Sequence, residues 1–350
     1  MKPSVSRLPL FQSAPGVIIL TGLMLFITSF TAWGSEAEAI DRIPHFHGAL
    51  RARYELATEG GEERFQMRNA RLAIDGRLSP AIDWFVQTDL CDRGTMKILD
   101  AWGRLEVAPG LRLQAGQFRL PVGTDCFKAP SNYLFANRSF IGKQMCNVRG
   151  VGAKASWSWQ MLTAEAGAFN PTSITDQIRW VKTLAYAGKV VVKPGAGLSF
   201  AAGAETLVPD SVRINLLGAS AGWVCGGLTL EAEYMNKHYV NNRHRAAHAW
   251  NFFADYGFPL KAGIFNRASV QARYDGMTAH SDGHRDKDGA LVTTDPARNR
   301  VTVGATLTYA WKTVHCDLRV DYEKYLYHHG VKAPSLDAAD KVCAELVIRF

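Results

Sequence analysis

The chain has 350 residues, 47% of them hydrophobic, with a formal charge of +8 and a pI near 9.2. That length and composition suit one large domain or two smaller ones, and no internal run reaches the length of a membrane-spanning helix. The basic balance points to an anionic partner or a basic exported protein. It does not point to nucleic acid, because no aromatic-basic binding module accompanies it.

The first element is apolar. "GVIILTGLMLFITSF" (16–30) follows Lys2 and Arg7 and precedes small residues around Ala32-Trp33-Gly34 and Ala37-Glu38-Ala39. A basic start, an apolar middle and small residues at a cut site predict a signal peptide over 1–34, with cleavage as late as 39, ahead of one domain over 35–350. Loss of 1–34 leaves a charge of +6. Six cysteines in an exported chain could make up to three disulfides, but Cys316 and Cys343 fall in strand patterns and Cys225 in a Gly-rich turn. Cys126 and Cys146 flank one long loop and could pair, with Cys91 as a competitor for either.

Period-2 alternation recurs through the remainder. "AIDWFVQTDL" sets Ile82, Trp84, Val86, Thr88 and Leu90 against Asp83, Gln87 and Asp89. "TVHCDLRVDYEKY" sets Val314, Cys316, Leu318, Val320 and Tyr322 against His315, Asp317, Arg319, Asp321 and Glu323. These are strands with one apolar face, longer than the usual soluble strand of about 5–6 residues. Short connections at 77–80, 108–110, 158–160, 194–197, 225–227, 258–261 and 311–313 alternate with longer ones near 57–63, 91–97, 119–149, 171–180, 237–245, 276–298 and 327–340, plus a short one near 209–211. The count gives sixteen strands, seven turns on one side and eight loops on the other. An even number of antiparallel strands with short turns on one side predicts an all-β transmembrane barrel of the Gram-negative outer membrane, bounded by its lipid. Aromatics beside the short turns (Trp157, Trp159, Trp223, Phe258, Tyr309, Trp311) and near the long loops (Trp180, Tyr234, Tyr239, Tyr325, Tyr327) suggest two interfacial belts. The chain ends on "CAELVIRF", a strand running to Phe350 with no polar tail. Such a strand must pair with another, and the first strand is the candidate.

Residues 64–152 carry "RFQMRNARLAIDG", then "LDAWGRLEVAPGLRLQAGQFRLPVG", then "NRSFIGKQMCNVRGVG". This succession closely resembles the phosphate-selective porin O/P family, in which an Arg-rich strand ending in Gly precedes an "LDA" strand and a "GQF" segment that opens the constriction loop. The resemblance covers roughly a quarter of the chain in detail. It implies a sixteen-stranded, homotrimeric, anion-conducting porin whose third loop folds into the pore, with phosphate or polyphosphate as candidate cargo. It also implies that the C-terminal Phe350 is read by the barrel-assembly machinery.

The loop can be read on its own terms. Pro121 cannot donate to a strand ladder and Gly123 frees the backbone, so the chain can leave the wall there. Residues 119–149 then hold Arg119, Lys128, Arg138, Lys143 and Arg149 against Asp125 alone, a net +4. A positive ring at a narrow point favours anions, and the Arg fork suits phosphate oxygens. The strand phase expected to face the lumen is mixed. It holds Arg51, Arg53, Arg71 and six further arginines, with Asp89, Asp100 and nine further acids, and Asp89 and Asp100 are placed to orient the loop bases. Arg68 shares a phase with Leu72 and Ile74, so a bulge or a rim position is expected there. Neither catalytic nor metal residues and no cofactor are expected. The weaker alternatives are a metal set of His238, His244 and His248, a general diffusion porin, and a structural or receptor barrel without selective transport.

Overall fold

The structure, a computed structural model, describes residues 43–350 apart from 147–148, 173, 210–211, 282–284, 291, 294 and 329. The expected signal segment and its cut site lie outside the described residues. Sixteen strands follow in order: β1 (His45–Ala57), β2 (Glu63–Ser79), β3 (Ile82–Asp92), β4 (Thr95–Ala108), β5 (Leu111–Arg119), β6 (Arg149–Trp159), β7 (Leu162–Phe169), β8 (Ala185–Gly195), β9 (Leu198–Leu207), β10 (Ile214–Cys225), β11 (Leu228–Tyr239), β12 (Ala247–Ala262), β13 (Phe265–Met277), β14 (Arg298–Trp311), β15 (Val314–Tyr327) and β16 (Lys341–Arg349). Each pairs antiparallel with its sequence neighbours, and β1 pairs with β16, so the sheet closes into a barrel without an edge.

Alternation decides which face each residue takes. On β12, β13 and β14 the outer phase exposes Phe252, Tyr256, Val270, Tyr274, Val301 and Val303, while the inner phase buries Asn251, Asp255, Gln271, Arg273, Asp275 and Arg300. An apolar exterior around a polar, charged interior is the reverse of a soluble protein and is what a barrel in lipid requires. At the seam, the Phe350 amide donates to the Gly48 carbonyl at 3.1 Å and Gly48 returns the bond at 2.9 Å. The Phe350 ring lies over Gly48, where a Cβ would come within 2.1 Å of it.

Three sequence expectations shift in detail. The connection expected over 91–97 is a two-residue turn, with Arg93 (φ 55°) and Gly94 (φ 89°) both left-handed, the geometry that matches strand twist in a tight hairpin. The turn expected at 258–261 lies at 263–264, because Pro259 stays within β12 beside a register shift, where its missing N–H is tolerated. Tyr239 and Tyr325 do not belong to an outer belt. Both are buried, and Tyr325 shares the inward phase of Asp321 and Glu323 and hydrogen-bonds to Arg300. Beside the short turns the outer aromatics Trp157, Trp159, Trp223, Phe258 and Trp311 are exposed, Trp157 and Trp159 stacked at 6.2 Å. Arg68 is the extra residue of a bulge: Arg51 pairs with Asn69 and Ala52 with Met67.

Between β5 and β6 lies the long third loop, with short helical turns at Asp125–Phe127, Pro130–Asn132 and Ile141–Met145. Its apolar residues Val122, Cys126, Phe140, Ile141, Met145 and Cys146 form one buried cluster with Leu216, Met235, Ala247, Ala249, Met277 and Tyr325 of the strands. Those strand residues form an apolar patch on an otherwise polar inward phase, and the loop packs on it.

Candidate functional site

A loop with little regular structure must find partners for its buried amides and carbonyls. Here the strand side chains supply them. Arg51 and Arg53 donate to the Ala136 carbonyl, Arg273 to Asn137 (2.7 Å), Arg300 to Arg138 (2.6 Å), Arg319 to Tyr133 (2.5 Å) and Arg349 to Ser131 (3.2 Å). Carboxylates take the amides: Asp321 accepts from Ala136 (2.5 Å), Asp275 from Phe140 (3.0 Å), and Glu233 from Thr124 (2.6 Å) and Asp125 (2.8 Å). Most of these arginines are also paired with carboxylates of the wall. Arg300 meets Asp275 and Glu323, and Arg51, Arg53 and Arg319 share Glu345. The mixed charge of β1 and β13–β16 therefore holds the loop.

The five loop bases divide. Lys128 pairs with Glu231 and Asp125, and Arg149 makes two 3.0 Å hydrogen bonds to Asp100. Arg119 turns onto the Cys126 and Lys128 carbonyls, Arg138 lies 4.8 Å from the Tyr133 ring centre, and among the described residues neither these two nor Lys143 has a carboxylate within ion-pair distance. Burial, and then the nearby Arg300 and Lys341, hold the Lys143 ammonium below its ordinary pKa, while burial raises that of the Tyr133 hydroxyl. Asp100 thus lies against a loop base. Asp89 does not: it accepts from Arg71 (3.0 Å), Asn69 and the Ala70 amide.

A chamber of about 820 Å³ opens towards the long-loop end beside β1–β3 and the start of β6. Eleven basic residues line it against three acids, Glu55, Asp92 and Asp337. Arg51, Arg53, Arg71, Arg138, Lys143 and Arg149 are among the eleven, and the other five were not placed there by sequence reasoning: Arg64, Arg93, Lys97, Lys341 and the bulged Arg68. The register shift that hid Arg68 is a property of strand pairing, and the other four sit at rims where alternation assigns no side. Towards the short-turn end the chamber shares Arg71 and Arg149 with a cavity of about 240 Å³, which shares Arg71, Phe85, Gln87 and Ala129 with one of about 430 Å³ that reaches His47, His315 and Phe350. These spaces follow one wall of the barrel.

The remaining candidates are placed simply. Cys126 and Cys146 are buried thiols in one cluster. Cys126 donates to the Val122 carbonyl at 3.0 Å, and a hydrogen bond with Cys126, with burial, raises the Cys146 thiol pKa. His248 bonds to Tyr234 and Asn236, and the His244 ring lies 4.7 Å from Tyr239. Among the described residues no three His, Cys, Asp or Glu side chains come together as a metal set. His284 and His329 lie outside the described residues.

No family model and no curated protein matches this sequence. Solved structures do match its fold. An anion-selective porin from Comamonas acidovorans is 12% identical with a TM-score of 0.63, over 88% of this chain and 99% of that one. The fold is that of an outer-membrane porin. The outer membrane channel DcaP of Acinetobacter baumannii is similar at 11% identity and a TM-score of 0.60, over 91% and 100% of the two chains. OmpT of Vibrio cholerae, in a trimer form, matches at 13% and 0.60 over 88% and 99%. The porin fold and the apolar outer band place the barrel in a Gram-negative outer membrane.

Proposed function

We propose that this porin fold is a passive channel for small anions, with the third loop as its constriction and phosphate as the favoured inorganic cargo. The observation that carries the reading is the basic chamber, lined by eleven bases and three acids, where among the described residues Arg138 and Lys143 on the loop side have no carboxylate within ion-pair distance. A surplus of positive charge in a narrow, poorly screened passage raises the local concentration of anions and repels cations. Arg71 and Arg149, shared by the chamber and the cavity below it, mark the narrow passage; Asp89 and Asp100 hold their guanidiniums, so the bases offered to an oxyanion are Arg138 and Lys143 above and Arg119 below. The similar Comamonas structure is described as anion-selective, and the OmpT structure as a trimer form, which supports a trimer of this chain too. In this reading Phe350, at the closing seam, is the recognition signal for barrel assembly.

The test is the reversal potential of purified protein in planar bilayers under a potassium chloride gradient. Wild type should favour chloride, and Arg138→Glu with Lys143→Glu should invert the preference. Phosphate should reduce chloride current. A cation-preferring wild type that ignores phosphate would leave a general diffusion porin.

A further inference from the structure

The cavity next to the narrow passage has a wall that inorganic ions cannot use. On β3 and β4 the inward phase is otherwise polar, with Asp83, Gln87 and Asp89 on one strand and Asp100, Arg104 and Glu106 on the other. Phe85 and Trp102 interrupt it. They are direct cross-strand partners, half-buried, with ring centres 5.5 Å apart and planes 22° from parallel. Phe127 approaches from the loop, and Phe118 from β5. In the same 240 Å³ space stand Arg71, Arg119, Arg149 and Lys154 with one acid, Asp100, which Arg149 holds. Arg71 and Arg149 are shared with the basic chamber above, so an anion leaving that chamber at this point enters a space that is cationic on one side and aromatic on the other.

Water is the better neighbour for chloride or phosphate, and a half-buried pair of rings, Trp102 covered in part by the Arg104 guanidinium 5.1 Å from its ring centre, still turns apolar surface to a polar lumen. A planar anion would cover it. A guanidinium presents a fork to a carboxylate, and stacked rings extend their stack over a further aromatic face. The cavity is smaller than the roughly 300–1,000 Å³ typical of drug-sized ligands, which limits the occupant to about one ring. We propose that this cavity is a binding station for single-ring aromatic carboxylates, the ring against Phe85 and Trp102 and the carboxylate at the arginines of the passage. This deepens the anion-channel reading and rests on it: the preferred organic cargo is an aromatic acid.

Benzoate and acetate separate the two ideas, because they share a carboxylate and differ in the ring. In single-channel recordings of the full barrel, benzoate should block chloride current at a concentration on the order of tenfold below that of acetate. In Phe85→Leu with Trp102→Leu, which keeps the positions apolar, though smaller, and removes both π faces, the benzoate-to-acetate ratio should fall towards one. Heat-modifiable migration shows whether that variant is folded, and the wild-type comparison stands without it. Equal block by benzoate and acetate in wild type overturns the proposal, and if chloride is still preferred over potassium the anion reading survives. A folded variant that keeps the wild-type ratio also overturns it. A channel that prefers potassium yet is blocked selectively by benzoate overturns the anion selectivity and leaves the aromatic station standing.

Discussion

The wall from β13 to β16 and the wall from β2 to β6 use the same residue types to different ends. On the first, Arg273, Arg300 and Arg319 each touch a carboxylate and each donate to a loop carbonyl, while Asp275 and Asp321 take loop amides. On the second, Arg68, Arg71 and Arg104 are matched only within the wall, to Asp92, Asp89 and Asp83. The basic chamber and the 240 Å³ cavity run along that second wall, while a cavity of about 280 Å³ lies between the loop and the first wall beside Arg267, Thr306, Asp317 and Arg319. What separates the two is where the loop's apolar cluster packs, against Leu216, Met235, Ala249 and Met277. Once the loop lies there, its backbone polar groups have no water and need side-chain partners, since an unpaired buried group costs about 1–3 kcal/mol. A charged lumen residue is thus a scaffold where loop backbone covers it and a candidate selectivity residue where it does not.

The largest effect should come from the seam at which the two walls join. Phe350→Asp puts a charge where the ring covers Gly48, and Gly48→Val drives a side chain into that ring. Both should prevent closure and leave little heat-modifiable barrel in the outer membrane. Normal assembly of either variant would separate barrel closure from this contact.

A smaller effect should distinguish the walls directly. Asp275→Ala leaves Arg300 and Arg273 with Glu323 as their one shared carboxylate and removes the acceptor of the Phe140 amide. Removing one partner of a buried ion pair costs roughly 3–5 kcal/mol, so unfolding in urea should shift down and the freed loop should raise single-channel conductance. Asp89→Ala releases Arg71, Asn69 and the Ala70 amide but no loop group. It should leave the loop in place, with conductance close to wild type. Equal conductance changes in the two variants would erase the distinction.

The smallest effect is a pH dependence. Lys143, on the loop beside the chamber, has a pKa lowered by burial and by Arg300 and Lys341. Its charge is lost as pH rises through that lowered value, before an exposed lysine would lose its own. Chloride preference should therefore decline at a pH below that at which exposed lysines titrate, and Lys143→Arg should remove the decline. An unchanged alkaline profile in that variant would take Lys143 out of the selectivity path.

The strand count, the closing partner of the last strand and the loop that leaves the wall at Pro121 were legible because each is a local pattern. Period-2 alternation records a two-faced environment residue by residue, and prolines and glycines mark where it stops. Reading failed where pairing matters. Leu99 and Arg68 are bulged residues, and a one-residue slip reverses every later side chain, so Arg68 could not be assigned a side until Arg51 was seen opposite Asn69. Arg300 escaped notice although "NRVTV" places it opposite Val301 in phase, so its inward face was available from alternation alone. Phe85 and Trp102 were passed over because an aromatic residue in a strand reads as lipid-facing until its register is known.

By itself, then, the sequence determined an exported all-β barrel pattern, its exposed apolar face and a third loop with a surplus of four positive charges. Only the tertiary structure decided which charges remain available. Lys128 and Arg149 meet carboxylates from strands far away in the chain, while Arg138 and Lys143 do not. Net charge is a sum along the chain, whereas the field in a passage depends on which opposite charges lie within a few ångströms, and barrel closure brings those together from distant strands.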